Sequence, residues 1–189
     1  MGPGLHDRPF GEGHGARVRV MALSLWQPWA SAVAGGVKRH ETRHWGTRYR
    51  GILIIQAALK WSRDQAAVYD DPEDARDLLL CGCPTWRDLP RGTAVAVTRL
   101  VGCHRTEDFC GDLTARDHRW GNYDDGRFVW ELELLHRLDP PVPMVGHQGL
   151  WSELVPAAWC PDAAVQRREM LRGEIEPETG LEGRGGALT

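Results

Sequence analysis

The sequence predicts an α+β, mainly β fold: a small mixed or antiparallel barrel carrying a few short helices. Three observations lead there. Residues 51–57, 93–101 and 128–134 are short runs of strand-like composition. Within the folded domain, helical patterns occur only early and in the middle. Strands and helices do not alternate regularly, which argues against a doubly wound parallel sheet. At 189 residues and 42% hydrophobic content, the chain supports one domain with tails and one proper core. No internal repeat is evident.

The elements follow in order. Residues 1–20 are rich in Gly, Arg and His without an apolar period, and read as a disordered leader. Patterned sequence begins at Met21, an alternative start, and the folded domain is expected over residues 22–159. Gln27-Pro28-Trp29-Ala30-Ser31-Ala32-Val33-Ala34 predicts a short helix, with Pro28 in its first turn and Gly35-Gly36 as its stop. Residues 39–45 then form a strand, placing Glu41 and Arg43 on one face and His40, Thr42 and His44 on the other.

The run Gly51-Ile52-Leu53-Ile54-Ile55-Gln56-Ala57 predicts a strand buried on both sides. Residues 62–80 read as helix interrupted near Asp71-Pro72. Residues 93–101 form a strand. The alternating run at 128–134 puts Phe128, Trp130, Leu132 and Leu134 on one face, and Val129, Glu131 and Glu133 on the other. Asp139-Pro140-Pro141-Val142-Pro143 is an extended connector, and Gly146-His147-Gln148-Gly149-Leu150-Trp151 closes the domain. Residues 160–189 read as a flexible tail, with a short helix at 163–171 and an acidic, Gly-rich end.

Composition excludes several classes. The net charge is −3, so nucleic-acid contact requires a local basic patch. No apolar run approaches the ~20 residues that span a bilayer, and no secretory signal pattern is present. The five Cys form no disulfide-scaffold pattern and fit a reducing cytoplasm. Cys81-Gly82-Cys83, Cys103-His104 and Cys110 lack the C-x2-C opening of a zinc ribbon, so no metal and no cofactor are expected.

The densest polar cluster is Gly36-Val37-Lys38-Arg39-His40-Glu41-Thr42-Arg43. Lys and Arg total 23, yet only Lys38 and Lys60 are lysines. A lysine ammonium is compact and its pKa falls on desolvation, whereas a guanidinium stays charged. Lys38 is therefore the first candidate for chemistry or ligand contact. Residues 38–50 hold five cations and one carboxylate, the local patch that the total charge conceals.

Trp26 and Trp29 precede the cluster and Trp45 follows it, offering indole faces to a base. Trp29 is the preferred platform; Trp26, Trp130 and Trp151 read as core first and platform second. His40 and His44 read as exposed or edge residues. The run Asp70-Asp71-Pro72-Glu73-Asp74 reads as a solvated helix junction.

These landmarks resemble the ASCH domain family, whose hallmark is a G-x-K-x-x-E-x-R motif. Gly36, Lys38, Glu41 and Arg43 match its specified positions. The resemblance extends to Ser24-Leu25-Trp26-Gln27-Pro28-Trp29-Ala30, Tyr49-Arg50-Gly51, Trp130-Glu131 and Gln148-Gly149-Leu150-Trp151, and so spans residues 22–151. It implies a barrel of the PUA-like superfamily with a cleft beside the first helix, lined by the motif. It also implies association with RNA. Some small bacterial members remove the acyl group from N4-acetylcytidine, and ribonuclease activity is attributed to others. In those amidohydrolases a nucleophilic Thr stands where this chain has Glu41, so their Lys–Thr–Glu triad does not carry over intact.

The expectation is a cytoplasmic protein binding RNA, single-stranded nucleic acid or a modified nucleoside. The ligand set is Trp26, Gln27, Trp29, Lys38, Glu41, Arg43, Tyr49, Arg50, Glu131 and Gln148. Two alternatives remain open. One is a hydrolase at the same site, an amidohydrolase or ribonuclease, using Lys38 and Glu41. The other is a protein-interaction module using the Trp-rich surface.

Overall fold

The computed structural model describes residues 16–109 and 111–160. The expected tail and its helix at 163–171, Cys110 and most of the expected leader lie outside the described residues. Strands are β1 (Arg17–Leu25), β2 (His40–Arg43), β3 (Gly51–Ala57), β4 (Thr93–Arg105), β5 (Phe128–Pro143) and β6 (Leu150–Pro156). Helices are α1 (Trp29–Ala34), α2 (Arg63–Ala66), α3 (Pro72–Leu80) and α4 (Ala115–Trp120).

The strands form one mixed sheet in the order β2-β5-β4-β3-β1-β6, with β2 and β6 as edges. The fold is α+β as expected, but the sheet does not close into a barrel. Among the described residues only β1 and β3 pair in parallel, and the other pairings are antiparallel. Register shifts interrupt the β4–β5 ladder between Ala94/Ala96, Val97/Thr98 and Leu100/Gly102. Each such irregularity bends the strand and increases its twist.

Alternation places the core on both sides of the sheet. Leu23, Leu25, Leu53 and Ile55 point to one cluster with Val33 and Trp130. Ala22, Ile52 and Ile54 point to another with Val97, Leu138 and Val155. All seven residues of β3 are buried, as its unbroken apolar run predicts. α1 packs on the first cluster's side, against β3, β4 and β5. A third cluster, Ala32, Leu78 and Trp120, joins α1, α3 and α4.

Three sequence boundaries move. β1 starts at Arg17, inside the expected leader, because β6 supplies an antiparallel partner as far as Arg17↔Pro156. β5 runs through the Pro-rich segment read as a connector, since Thr93 and Ala94 pair with Pro143 and Val142. The chain also continues past Trp151 as edge strand β6. The break in the middle helix falls where Asp71-Pro72 places it: α2 and a 3-10 turn precede Pro72, and α3 follows. Asp71 caps α3, accepting from the Glu73 and Asp74 N–H groups. Among the described residues, no helix is long and apolar enough to cross a membrane.

Candidate functional site

α1 ends in a tight turn that delivers Lys38. Gly36 takes φ +75°, the left-handed conformation that favours glycine after a helix. A Cβ at Gly35 would overlap Cys81 Sγ, so glycine there lets α1 approach the end of α3. The Val37 and Lys38 N–H groups both donate to Ala32 O, at 2.9 and 3.0 Å. β2 then pairs along β5, with Glu41 opposite Trp130.

The polar cluster becomes a linked row. Lys38 is 4% exposed. Its Nζ donates to the Trp120 carbonyl at 2.6 Å and lies 3.3 Å from Glu41 Oε2. Glu41 Oε1 lies 2.9 Å from Arg43 Nε, and Arg43 Nη2 donates to Ser24 O at 2.9 Å. The row therefore runs from the end of α4 to β1. Burial pushes the Lys38 ammonium below the ordinary lysine value of 10.5; Glu41 opposes that shift and Arg43 reinforces it.

A cavity of about 890 Å³ opens over this row, within the usual range for ligand sites. Lys38, Glu41 and Arg43 line it, with the indoles of Trp26, Trp29 and Trp45 around them. Arg119, Trp120, Gly121 and Asn122 form a further wall, and His147, Gln148 and Gly149 also border it. Trp45 meets buried Trp130 edge-to-face at 4.7 Å, which fixes its ring. Trp26 is 46% exposed, a correction to its reading as core. Thr42 borders the cavity as well, although strand alternation separates it from Glu41.

The wall made by α4 is held by charge. Arg39 grips Asp117 bidentately, with Nε–Oδ1 at 3.0 Å and Nη2–Oδ2 at 2.9 Å. Asp117 also closes a capping box with Thr114. His40, expected at an exposed edge, is buried; its Nδ1 lies 3.2 Å from Tyr123 Oη and 3.5 Å from Asp117 Oδ1. Burial lowers the His40 pKa, and Asp117 works against it. Behind α4, the buried carboxylate of Asp77 accepts from Trp120 Nε1 at 3.1 Å and pairs with Arg116 at 3.1 Å. Arg119 bridges Glu73, Asp74 and Asp77. The acidic run read as a solvated junction is thus partly the anchor of this wall.

Asp117 yields a prediction. Burial pushes its pKa up, but hydrogen bonds from Arg39 and Thr114 outweigh burial and hold it below the ordinary 3.8. A depressed carboxylate stabilises the fold above its unfolded pKa, and that contribution is lost as pH falls through the folded value. Urea unfolding across about pH 2–5 should show wild-type stability falling with acidification, with a shallower fall in Asp117→Asn. Equal slopes would show that Asp117 is not the group responsible.

The cavity gathers six of the expected ligand residues: Trp26, Trp29, Lys38, Glu41, Arg43 and Gln148. Four lie elsewhere. Gln27 is fully buried, bonded to Ser31 and the Pro90 carbonyl. Tyr49 donates to the Ile52 carbonyl, and burial pushes its phenol up to about 12. Arg50 donates to the carbonyls of Thr47 and Tyr49. Glu131 faces His104 at 3.1 Å. The Arg119–Asn122 wall had no local signal; only the fold brings it to Lys38. Among the described residues no cluster of His, Cys, Asp or Glu has the makings of a metal site.

The chain is 26% identical over 155 residues to activating signal cointegrator 1 of Homo sapiens, and equally to that of Mus musculus. Each alignment covers 78% of this chain but 24% of the relative, so the chain spans about a quarter of their length. The ASCH domain family model matches residues 23–141, from β1 through most of β5 and including the whole Lys38–Glu41–Arg43 row. The chain belongs to the ASCH domain family.

Proposed function

We propose that the cleft binds RNA, seating one base or a nucleotide-like ligand against its indoles and reading it with the polar row. One observation carries this reading: three tryptophans and a cation–carboxylate–cation row line one cavity. Indole faces stack bases irrespective of sequence. Glu41 is an acceptor for an exocyclic amine, and Lys38 and Arg43 are donors to carbonyl or phosphate oxygens. A base edge presenting an amine beside a carbonyl, as cytosine does, complements that order. Family membership and the likeness to activating signal cointegrator 1 are compatible with a nucleic-acid role.

Trp29→Ala should weaken RNA binding by about 1–3 kcal/mol, the worth of one stacked base. Fluorescence anisotropy with a labelled single-stranded RNA reads the loss, and thermal unfolding reads stability. Wild-type affinity in this variant would make Trp29 structural.

Alkaline pH separates two effects of Lys38. Its folded pKa lies below 10.5. Between those two values the unfolded chain binds more protons, so the Lys38 contribution to stability rises with pH. The ammonium donor is lost over the same range, so affinity falls while stability does not. An affinity unchanged until an ordinary lysine titrates would remove Lys38 from the contact.

A second reading, hydrolysis at the same site, draws on the presence of the Thr42 hydroxyl at a cavity that also holds a desolvated lysine. Its Oγ1 accepts from the Asn122 N–H at 3.0 Å, which orients the hydroxyl and leaves its proton free for a base. Incubation with N4-acetylcytidine and with single-stranded RNA, read by mass spectrometry, tests it. Deacetylated cytidine or cleaved RNA from wild type and not from Lys38→Met supports the enzyme; intact substrates support the binder.

A further inference from the structure

A second group of aromatic and cationic side chains adjoins the cleft. Trp26, which lines the cavity, carries Lys60 Nζ 5.4 Å from its ring centroid. Next to Lys60 in the chain, Trp61 stacks on Trp86, with centroids 6.0 Å apart and planes 16° from parallel. The Arg87 guanidinium lies over Trp86 at 4.4 Å, and that of Arg91 over Trp61 at 5.8 Å. The loop after β3 and the loop before β4 thus build one continuous strip.

Charge distinguishes this strip from the cleft. Arg39, Arg43, Arg116 and Arg119 each have a carboxylate partner, and Lys38 shares Glu41. Lys60, Arg87 and Arg91 are exposed, and among the described residues none of them forms an ion pair with a carboxylate. The nearby Asp88 accepts from the Thr85 N–H and hydroxyl within its own turn. A guanidinium resting over an indole keeps its N–H edges available for phosphate oxygens.

The strip is also held in register with the cleft. Buried Gln27 donates to the Pro90 carbonyl at 2.7 Å, while its own backbone sits between Trp26 and Pro28. It ties the Arg87–Arg91 loop to the start of α1. Sequence reasoning placed Gln27 in the ligand set; its position makes it the link between the two surfaces.

We propose that this strip is an extension of the site for single-stranded RNA, carrying about two or three nucleotides that flank the one in the cleft. It rests on the cleft reading for its neighbour but on separate residues for its own contacts. Half-exposed Trp26 offers its indole to a base beside Lys60, and the guanidiniums over the paired Trp61 and Trp86 turn their N–H edges to the phosphates of a single strand. An acidic protein segment would satisfy the cations and leave the exposed Trp26 indole unused.

The test uses the full chain, a single ribonucleotide as the short RNA, a mixed-sequence RNA of about 12 nucleotides, and the variant Arg87→Gln/Arg91→Gln. Both arginines are exposed, so the fold should survive. The variant should bind the long RNA about tenfold or more weakly, with a salt slope reduced by about 1.4 for two phosphates lost. The short RNA should be nearly unaffected. Equal affinity of variant and wild type for the long RNA, or no binding of it by wild type, overturns the proposal. A loss confined to an acidic peptide, with RNA affinity unchanged, does so too and assigns the strip to a protein partner. Lys38→Met/Glu41→Gln separates the two readings. Long-RNA binding that survives this variant but fails in the arginine variant supports the strip and overturns the cleft. The reverse supports the cleft and overturns the strip.

Discussion

Lys38→Met is expected to cost about 2–4 kcal/mol of stability and to abolish binding in the cleft. The Lys38 side chain is 2% exposed beside Glu41 at 11%. Removing the ammonium leaves the Trp120 carbonyl without its 2.6 Å donor and leaves Glu41 with Arg43 as its remaining ion-pair partner. Deleting one partner of a buried pair costs more than the pair's net worth, because the survivor stays desolvated. Chemical denaturation measures this loss. A companion variant separates fold from function: in Lys38→Met/Glu41→Gln the amide no longer buries a charge and still lies beside the Arg43 guanidinium. Stability should recover substantially, and binding should not. Full recovery of both would reduce the row to a structural salt bridge.

Asp77→Ala is the second large effect, about 2–4 kcal/mol, and it acts without touching the cavity. Asp77 is 2% exposed and is the acceptor for Trp120 Nε1, and it is an ion partner of Arg116 and Arg119. Alanine orphans a buried indole N–H and loosens α4, whose last residue supplies the carbonyl for Lys38. Binding should therefore fall along with stability. Asp77→Asn keeps an acceptor for the indole, so it should lose less of both. Undiminished stability in Asp77→Ala would mean that the Asp77 carboxylate does not hold α4 in place.

Local spacing made the clustering of the central candidate residues legible. Lys38, Glu41 and Arg43 fall within six residues of chain, so one turn and one short strand suffice to bring them together, and strand alternation correctly pairs Glu41 with Arg43. The double-sided burial of β3 was legible for the same reason.

What failed depended on distant partners. Trp120 meets Lys38 across more than eighty residues, and its only sequence signal is being a large aromatic. Gln27 and Tyr49 lie near the cluster in the chain, yet their side chains turn to backbone carbonyls away from the cleft. The edge strands follow the same rule. Arg17–Val20 is ordered by pairing with β6, not by its own composition, and β6 itself is an unremarkable seven-residue run. Whether the sheet closes depends on strand order and bulges, which no hydrophobic period encodes.

The most direct test is a titration of labelled single-stranded RNA with wild type and with Lys38→Met/Glu41→Gln, at several salt concentrations. Wild type should bind in a salt-dependent way, and the variant should remain folded and lose about tenfold or more in affinity. Absence of RNA binding by wild type, or equal binding by the folded variant, would contradict it.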